Sequence, residues 1–317
     1  MSTRTASAAP PATRTPPGGP PPAPRRGRPA AVLLGLVALL VLVAGWALTL
    51  GQADIGVGQV WLSAWHRLCA GAAPGAGWCP ADPFTAVQHA IVWEGRAPRV
   101  VAAGAVGAGL ALCGAVMQAL TRNPLADPYL LGVSSGASVG AVLVLVLGLS
   151  AALPVAAFAG AMGALVITLS LATGRGGGLS PVRTVLAGVA VAQAASAVVS
   201  FVIFWSATGD SYREILAWLM GSLAGVTWSG AVLALTAAVG AGAVLVSQAR
   251  TLDAFTFGDV SASSLGVPVT RARWLLLCVA ALLTALLVSV AGAIGFVGLV
   301  VPHAVRLLVG SRHHRLL

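Results

Sequence analysis

The sequence contains no lysine, and only 8% of its 317 residues carry a charged side chain. Without lysine the chain cannot form a P-loop, because that motif needs a lysine that reaches the terminal phosphates of a nucleotide. Schiff-base chemistry and a lysine general base are excluded for the same reason. The 4 cysteines and 5 histidines show no spacing that resembles a zinc site. The sequence therefore predicts no ATP-hydrolysing site of its own, no metal site and no resident cofactor.

Apolar sequence, by contrast, is abundant: 58% of the residues are hydrophobic and the mean hydropathy is +0.93. A soluble domain would carry about a quarter charged residues. This composition predicts an integral membrane protein and excludes soluble enzymes, DNA-binding modules and secreted disulfide scaffolds. The net charge of +10 is therefore interpreted as a signal of membrane topology, and no nucleic-acid partner is predicted.

The predicted fold is an all-α polytopic transmembrane bundle that occupies residues 30–317. Residues 1–29, rich in Pro, Ala and Arg, are predicted to form a disordered cytoplasmic tail. Residues 30–50 provide the ~20 residues that a span needs, and they lack the form of a cleaved signal peptide. Seven further apolar stretches complete eight predicted spans, at 100–120, 130–149, 154–172, 184–205, 229–249, 274–291 and 293–309.

The distribution of arginine predicts a cytoplasmic N-terminus, since basic residues favour cytoplasmic loops. With the tail inside, only four of the 18 arginines fall outside: Arg67, Arg96, Arg99 and Arg213. The long outer segment carries Cys69 and Cys79, which form either a disulfide or two unpaired small apolar side chains. Cys113 and Cys278 are interpreted as packing residues within spans, and His313 and His314 as a solvated tail.

The segment between the second and third spans combines two prolines with a helix cap. Asp127 is a favourable N-cap and Pro128 suits the first helical position. The predicted helix carries Gly132, Gly136 and Gly140 on one face, with Ser134 and Ser135 beside it. Such small residues either allow another helix to approach closely or line a pathway; for the serines, the pathway is favoured.

The predicted cytoplasmic loop 250–273 carries signals of ordered structure. Asp259 can cap a short helix that runs through Leu265, Gly266 suits a left-handed terminal position, and Pro268 follows. Flanking apolar residues, Phe255 and Phe257 among them, suggest a protein partner. The alternative is an amphipathic helix on lipid headgroups, which usually needs more basic residues than this stretch has.

Charged residues at the outer end of the second span also allow two interpretations. Arg96 and Arg99, next to Glu94, are either interfacial anchors or groups that bind carboxylates of an external protein. Within the spans, ionisable residues are almost absent apart from His303. Ion-coupled transporters normally keep such residues in the membrane, so energy must come from elsewhere, or the protein is a passive pore.

Together, these motifs resemble those of the FecCD-type permeases, the membrane subunits of ABC importers for iron-siderophores, haem and vitamin B12. The resemblance extends from about residue 30 to the end of the chain, and its motifs lie at 96–99, 123–128, 131–137, 218–223, 258–259, 265–267, 292–300 and 302–303, with Gly109, Gly114 and Gln118 between the first two. It implies a bacterial cell-membrane protein that forms a homo- or heterodimer with a central path, contacts membrane lipid, and works with cytoplasmic ABC ATPase subunits and an external substrate-binding protein.

The resemblance also implies roles for individual residues. Those expected to couple to the ATPase are Phe257, Gly258, Asp259, Ala262, Leu265, Gly266 and Val267. Arg96 and Arg99 are expected to dock the binding protein. Those expected at the translocation path or in helix packing are Gln118, Asn123, Pro124, Gly132, Ser134, Ser135 and Gly136.

The function expected on these grounds is inward transport of an iron(III)-siderophore, driven by ATP hydrolysis on a separate subunit, with no catalysis by this chain. Cobalamin or haem is the alternative cargo within the family. An ion-coupled secondary transporter is the alternative from another class, although no membrane-embedded carboxylate supports it. Because family members have ten transmembrane helices, two more than the eight predicted spans, the chain is expected to be truncated after Leu317.

Overall fold

The computed structural model describes residues 28–72, 78–173, 178–206 and 209–317. Residues 1–27, which make up most of the predicted tail, lie outside the described residues. Apart from an isolated β-bridge between Thr173 and Leu179, the regular structure described is helical. The helices are α1 (Arg28–Ala47), α2 (Val57–Ala72), α3 (Ala86–His89) continuing through a π-helical segment (Ala90–Arg96) into α4 (Ala97–Thr121), a 3-10 turn (Pro128–Leu131), α5 (Val133–Val146), a second 3-10 turn (Ser150–Ala152), α6 (Leu153–Ala172), α7 (Pro181–Ser206), α8 (Gly209–Leu219), α9 (Trp228–Ser247), α10 (Ala249–Thr256), α11 (Asp259–Ser264), α12 (Val269–Ala291), α13 (Val297–Val309) and α14 (His313–Leu316).

The predicted all-α, multi-span architecture is confirmed. Within the described residues, 5 helical segments have the length and apolar composition of a membrane span: Ala86–Thr121, Ser150–Ala172, Pro181–Ser206, Trp228–Ser247 and Val269–Ala291. Three shorter apolar helices, Ala31–Ala47, Val133–Val146 and Val297–Val309, account for the other predicted spans.

The centre of the bundle is formed by α4 and α12. Helix α4 has 25 residues, which gives a length of about 37 Å at ~1.5 Å per residue and exceeds the ~30 Å hydrocarbon core of a bilayer. It contacts α9, α12 and α13. Met117 and Leu110 on α4 and Leu287 on α12 are fully buried. The central position of these two helices explains why both are apolar on almost every face.

Helices α5 and α6 approach most closely through small residues. A Cβ added at Gly136 would lie 2.5 Å from the carbonyl oxygen of Gly160, so only glycine fits there. Gly140 likewise faces the backbone of Ala156. Gly132, however, lies outside the helix, against the prediction. With φ of +75° it links the 3-10 turn to α5, a left-handed conformation that glycine adopts without steric cost.

Several local predictions are confirmed and others are wrong. Asp127 is an N-cap, although of the 3-10 turn and not of the long helix. Asp259 is not a cap: Gly258 holds that position, and Asp259 is the first residue of α11. Cys69 and Cys79 form a disulfide, with Cα atoms 5.8 Å apart. Cys113 is buried as predicted, whereas Cys278 is exposed on α12. His313 is buried and not solvated.

Candidate coupling and translocation site

Two short helices, α10 and α11, lie between α9 and α12 at one end of the bundle, called here the α10–α11 end. Gly258 and Gly266 bracket α11 with φ of +93° and +82°. Ala262, on α11, is buried, whereas Phe257, Val260 and Leu265 are 75%, 85% and 70% exposed. Val267, at the end of the segment, is half-buried. The segment from Phe257 to Leu265 therefore exposes three apolar side chains.

A buried guanidinium holds α11 against the rest of the protein. Arg273, near the start of α12, donates through Nη2 to Oδ1 of Asp259 at 2.6 Å and through Nη1 to the carbonyl of Leu179 at 2.8 Å. Its Cζ lies 5.2 Å from the centre of the Phe255 ring on α10. One side chain thus joins α10, α11, α12 and the segment before α7.

A second contact fixes α10 to the C-terminal segment. Oδ1 of Asp253 accepts the backbone N–H of His313 at 2.9 Å and lies 2.7 Å from its Nδ1. The buried Nε2 of His313 has no partner among the described residues. Together with the Arg273 contacts, this pair makes α10 and α11 a braced layer and not a loose connector.

The helical path breaks between α12 and α13. Residues 292–296 are non-helical, and Phe296 has φ of +69° and is 74% exposed. The Tyr129 hydroxyl donates to the carbonyl of Ile294 at 2.8 Å. The backbone amide of Ser222 donates to the carbonyl of Ala291 at 2.8 Å. Two carbonyls at the break are thus bonded by groups from two other segments.

Gln118 lies beside this break and is buried. Its Nε2 donates to the carbonyl of Leu299 at 3.2 Å, and its Oε1 accepts from Nη1 of Arg306 at 2.5 Å. Gln118 and Pro124 line a cavity of about 320 Å³, together with Arg122 and Arg306. This cavity lies at the α10–α11 end of α4.

The other residues predicted for the path lie on the loop after α4 and at the start of α5. Asn123 is exposed, and its Oδ1 accepts the amide of Leu125 at 2.9 Å. Ser134 and Ser135 are half-buried, and the Ser134 carbonyl accepts the hydroxyl of Ser138 at 3.1 Å. Burial raises the pKa of the Asp127 carboxyl in this loop, whereas the N–H bond from Tyr129 lowers it.

Arg96 and Arg99 lie at the opposite, disulfide-bearing end of the bundle. Arg96 is half-buried and donates to the carbonyls of Leu48 at 2.8 Å and Ala53 at 3.4 Å. Arg99 is exposed and donates through Nη2 to the carbonyl of Ala224 at 2.9 Å. Both side chains therefore tie chain segments together.

The braced layer depends on contacts that the sequence did not predict. Phe255, expected as an apolar residue facing a protein partner, is instead buried against the guanidinium of Arg273. Arg273 and Phe255 meet only in the folded chain. In the sequence, Arg273 looks like any other arginine that precedes a membrane span. Asp253 and His313 are 60 residues apart. The one signal for Asp253 in the sequence is its position as an acidic residue close to Arg250, which could have indicated a buried or paired carboxylate.

Comparison with known proteins gives consistent matches. The model of the FecCD transport family matches residues 36–317. The cobalamin import system permease protein BtuC of Halobacterium salinarum is 47% identical over 230 residues, which are 72% of this chain and 61% of that protein. The vitamin B12 import system permease protein BtuC of Vibrio cholerae is 40% identical over 263 residues, 82% of this chain and 74% of that protein.

A solved structure shares the fold. It is described as an inward-facing conformation of a metal-chelate type ABC transporter, is 30% identical, and superposes with a TM-score of 0.77. The match covers 90% of this chain and 84% of the solved chain.

Proposed function

Because the chain belongs to the FecCD transport family of ABC transporter permeases, we propose that it is the permease subunit of an importer that moves cobalamin into the cell. Such a permease is a transport subunit without catalysis of its own. Hydrolysis of ATP would take place on a partner ATPase, and an external binding protein would deliver the cargo.

The choice of cobalamin rests on the similarity to two import permeases named for it, at 47% and 40% identity. These relatives favour cobalamin over the iron(III)-siderophore that the sequence analysis placed first. The solved relative described as a metal-chelate type transporter keeps a ferric chelate as the second candidate. Haem has no comparable support among these relatives.

The surface of α11 supports the proposed coupling to the ATPase. Val260 on α11 and Leu265 directly after it are exposed apolar side chains, as is Phe257 before it, at an end expected in the cytoplasm. Exposed apolar patches mark sites of contact with a protein or a membrane. The contacts of Asp259 and Phe255 with Arg273 would then carry a displacement of α11 to α12 and to the start of α7.

At the disulfide-bearing end, we propose Arg99 as the better of the two candidates for docking the binding protein. Exposed arginine pairs well with carboxylates, whereas the guanidinium of Arg96 is committed to two carbonyls. This assignment agrees with a cytoplasmic N-terminus, because α1 begins beside the C-terminal segment at the α10–α11 end, whereas Arg99 lies at the opposite end.

Uptake into proteoliposomes tests the proposal. The chain is reconstituted with its partner ATPase and binding protein, and ATP-dependent accumulation of radiolabelled cobalamin is measured with and without an excess of a ferric siderophore. Cobalamin should accumulate, and the siderophore should not compete. Accumulation of the ferric siderophore, without accumulation of cobalamin, would identify the ferric chelate as the cargo.

A pair of matched variants tests the coupling surface in the same assay. Leu265→Asp places a charge where an apolar contact is expected, and should lower ATP-dependent uptake at least tenfold. Val87→Asp changes a residue of equal exposure, 70%, at the opposite end and should leave coupling to the ATPase intact. Equal uptake by the wild type and Leu265→Asp would refute the coupling role of α11.

A further inference from the structure

Helix α4 ends at Arg122, which has a left-handed backbone with φ of +53° although it is not glycine. The amide of Arg122 donates to the carbonyl of Ala119 at 3.3 Å, and the amide of Asn123 donates to the carbonyl of Gln118 at 3.2 Å. These two bonds form a Schellman motif, in which the left-handed position usually carries glycine. A larger residue costs free energy in this conformation. A function of the arginine side chain would explain why glycine is absent here.

The guanidinium of Arg122 lies against the residue that begins α11. A Cβ added at Gly258 would lie 3.1 Å from Nη1 and 3.9 Å from Cζ of Arg122. Gly258 is the N-cap of α11 and has φ of +93°. Among the described residues, no carboxylate forms an ion pair with Arg122. The side chain therefore bridges the end of α4 and the start of α11 by packing.

The start of α11 is thus contacted by two arginines from different helices. Arg273 on α12 bonds Asp259 and packs on Phe255. Arg122 on α4 packs on Gly258, which lies between those two residues in the sequence. The contacts of Arg273 lead from α11 to α12, whereas the contact of Arg122 leads to α4.

We infer that Arg122 is a positioning residue through which a movement of α11 reaches the end of α4. A displacement of α11 toward the bundle presses Gly258 against the guanidinium, and the Schellman motif holds that side chain at a fixed angle to α4. The Gln118 carbonyl accepts one bond of this motif, and the Gln118 side chain bonds the carbonyl of Leu299 on α13. The movement therefore reaches α4 and α13 separately from α12. The inference rests on the proposed contact of α11 with the ATPase.

Hydrogen–deuterium exchange of the full chain in nanodiscs, with and without its partner ATPase, tests the inference. In the wild type, the ATPase should slow exchange in α11 and, by about threefold or more, at the amides of Arg122 and Asn123. In Arg122→Gly, α11 should still respond, whereas the amides at 122 and 123 should exchange alike with and without the ATPase. A response at these two amides equal to that of the wild type would overturn the inference.

The amides of α11 distinguish a failure of the inference from a failure of the proposed function. If the ATPase slows exchange in α11 of the wild type but not at 122 and 123, the coupling surface stands and only the inference fails. If the ATPase leaves α11 unaffected, α11 is not the coupling surface, and the proposed coupling fails together with the inference.

Two further variants control for the loss of charge and for the freedom of glycine. Arg183→Gln removes an exposed arginine near the start of α7 and should respond like the wild type. Arg122→Asn removes the guanidinium, and asparagine still tolerates the left-handed conformation, so this variant should behave like Arg122→Gly. Loss of the response in Arg183→Gln, or a normal response in Arg122→Asn, would contradict the inference.

Stability and uptake separate a positioning residue from a merely structural one. Glycine relieves the left-handed backbone at position 122, so Arg122→Gly should melt in detergent at or above the temperature of the wild type. Uptake per ATP hydrolysed in proteoliposomes should nevertheless fall about threefold or more. Undiminished uptake, or a loss of uptake accompanied by a lower melting temperature in both Arg122→Gly and Arg122→Asn, would refute the positioning role.

Discussion

Replacing Asp259 by asparagine tests whether one buried guanidinium holds α11 on the bundle. The Arg273 side chain is 6% exposed and that of Asp259 is 43% exposed, with 2.6 Å between Nη2 and Oδ1. The asparagine would keep the size of the side chain and a carbonyl acceptor but would remove the charge. Arg273 would keep its bond to Leu179 and lose its carboxylate partner.

The expected magnitude follows from the burial of the two partners. A hydrogen bond between charged groups contributes about 1.5–3 kcal/mol, and breaking a fully buried ion pair costs about 3–5 kcal/mol. Here water reaches the carboxylate and screens the pair, so we expect Asp259→Asn to destabilise the attachment of α11 by about 1–2 kcal/mol. That loss corresponds to roughly a 5- to 30-fold increase in the local opening of α11.

Hydrogen–deuterium exchange of the α11 amides measures this opening directly. Asp259→Asn, Arg273→Gln and the double variant form a cycle that isolates the energy of the pair from other effects of each change. Asp54→Asn, an exposed acid at the opposite end, is the control and should leave exchange in α11 unchanged. A coupling energy near zero, with both single variants exchanging like the wild type, would show that the pair does not hold α11.

Two further predictions concern packing and the outer segment. Gly136→Ala should destabilise the protein by about 1–3 kcal/mol, because the added methyl would overlap the backbone of α6. Gly163→Ala adds a methyl with no atom within 4 Å and should change the stability by less than about 1 kcal/mol. Thermal unfolding in detergent compares them, and equal melting temperatures would contradict the close approach of α5 and α6. Cys69→Ser/Cys79→Ser should lower the stability by about 3 kcal/mol, because the bridge closes a short loop. A reductant should lower the melting temperature of the wild type toward that of the double variant and leave the variant unaffected; an unaffected wild type would count against the bridge.

Composition and periodicity predicted the helices because a membrane span leaves few alternatives. A chain in lipid must satisfy its backbone groups internally, and a long apolar run does so as a helix. Local signals also predicted the N-cap of Asp127 and the left-handed Gly266, since both depend on neighbouring residues alone. These features depend only on residues within one or two helical turns along the sequence.

The site required contacts that no local signal contains. Asp259 has the usual character of an N-cap, yet its carboxylate is taken by Arg273, and Gly258 takes the cap position instead. His313 was interpreted as a solvated residue of a basic tail, yet it is buried against Asp253 on α10. In both cases a charged partner, distant in sequence, outcompeted the local preference.

The break between α12 and α13 gives a physical reason for two distant motifs to occur together. Non-helical backbone within a membrane is tolerated only where protein buries it or where it lines a water-filled cavity, because each unsatisfied polar group costs several kcal/mol. The segment after α4 supplies the hydroxyl of Tyr129 to Ile294, and Gln118 supplies its amide to Leu299.

These donors satisfy carbonyls on both sides of an exposed, left-handed Phe296. Gln118, predicted for the path or for helix packing, holds α13 through its backbone and through Arg306. The residues of the α4 end and of the α12–α13 break are thus joined by hydrogen bonds, and we expect a change in either to alter the geometry at Phe296.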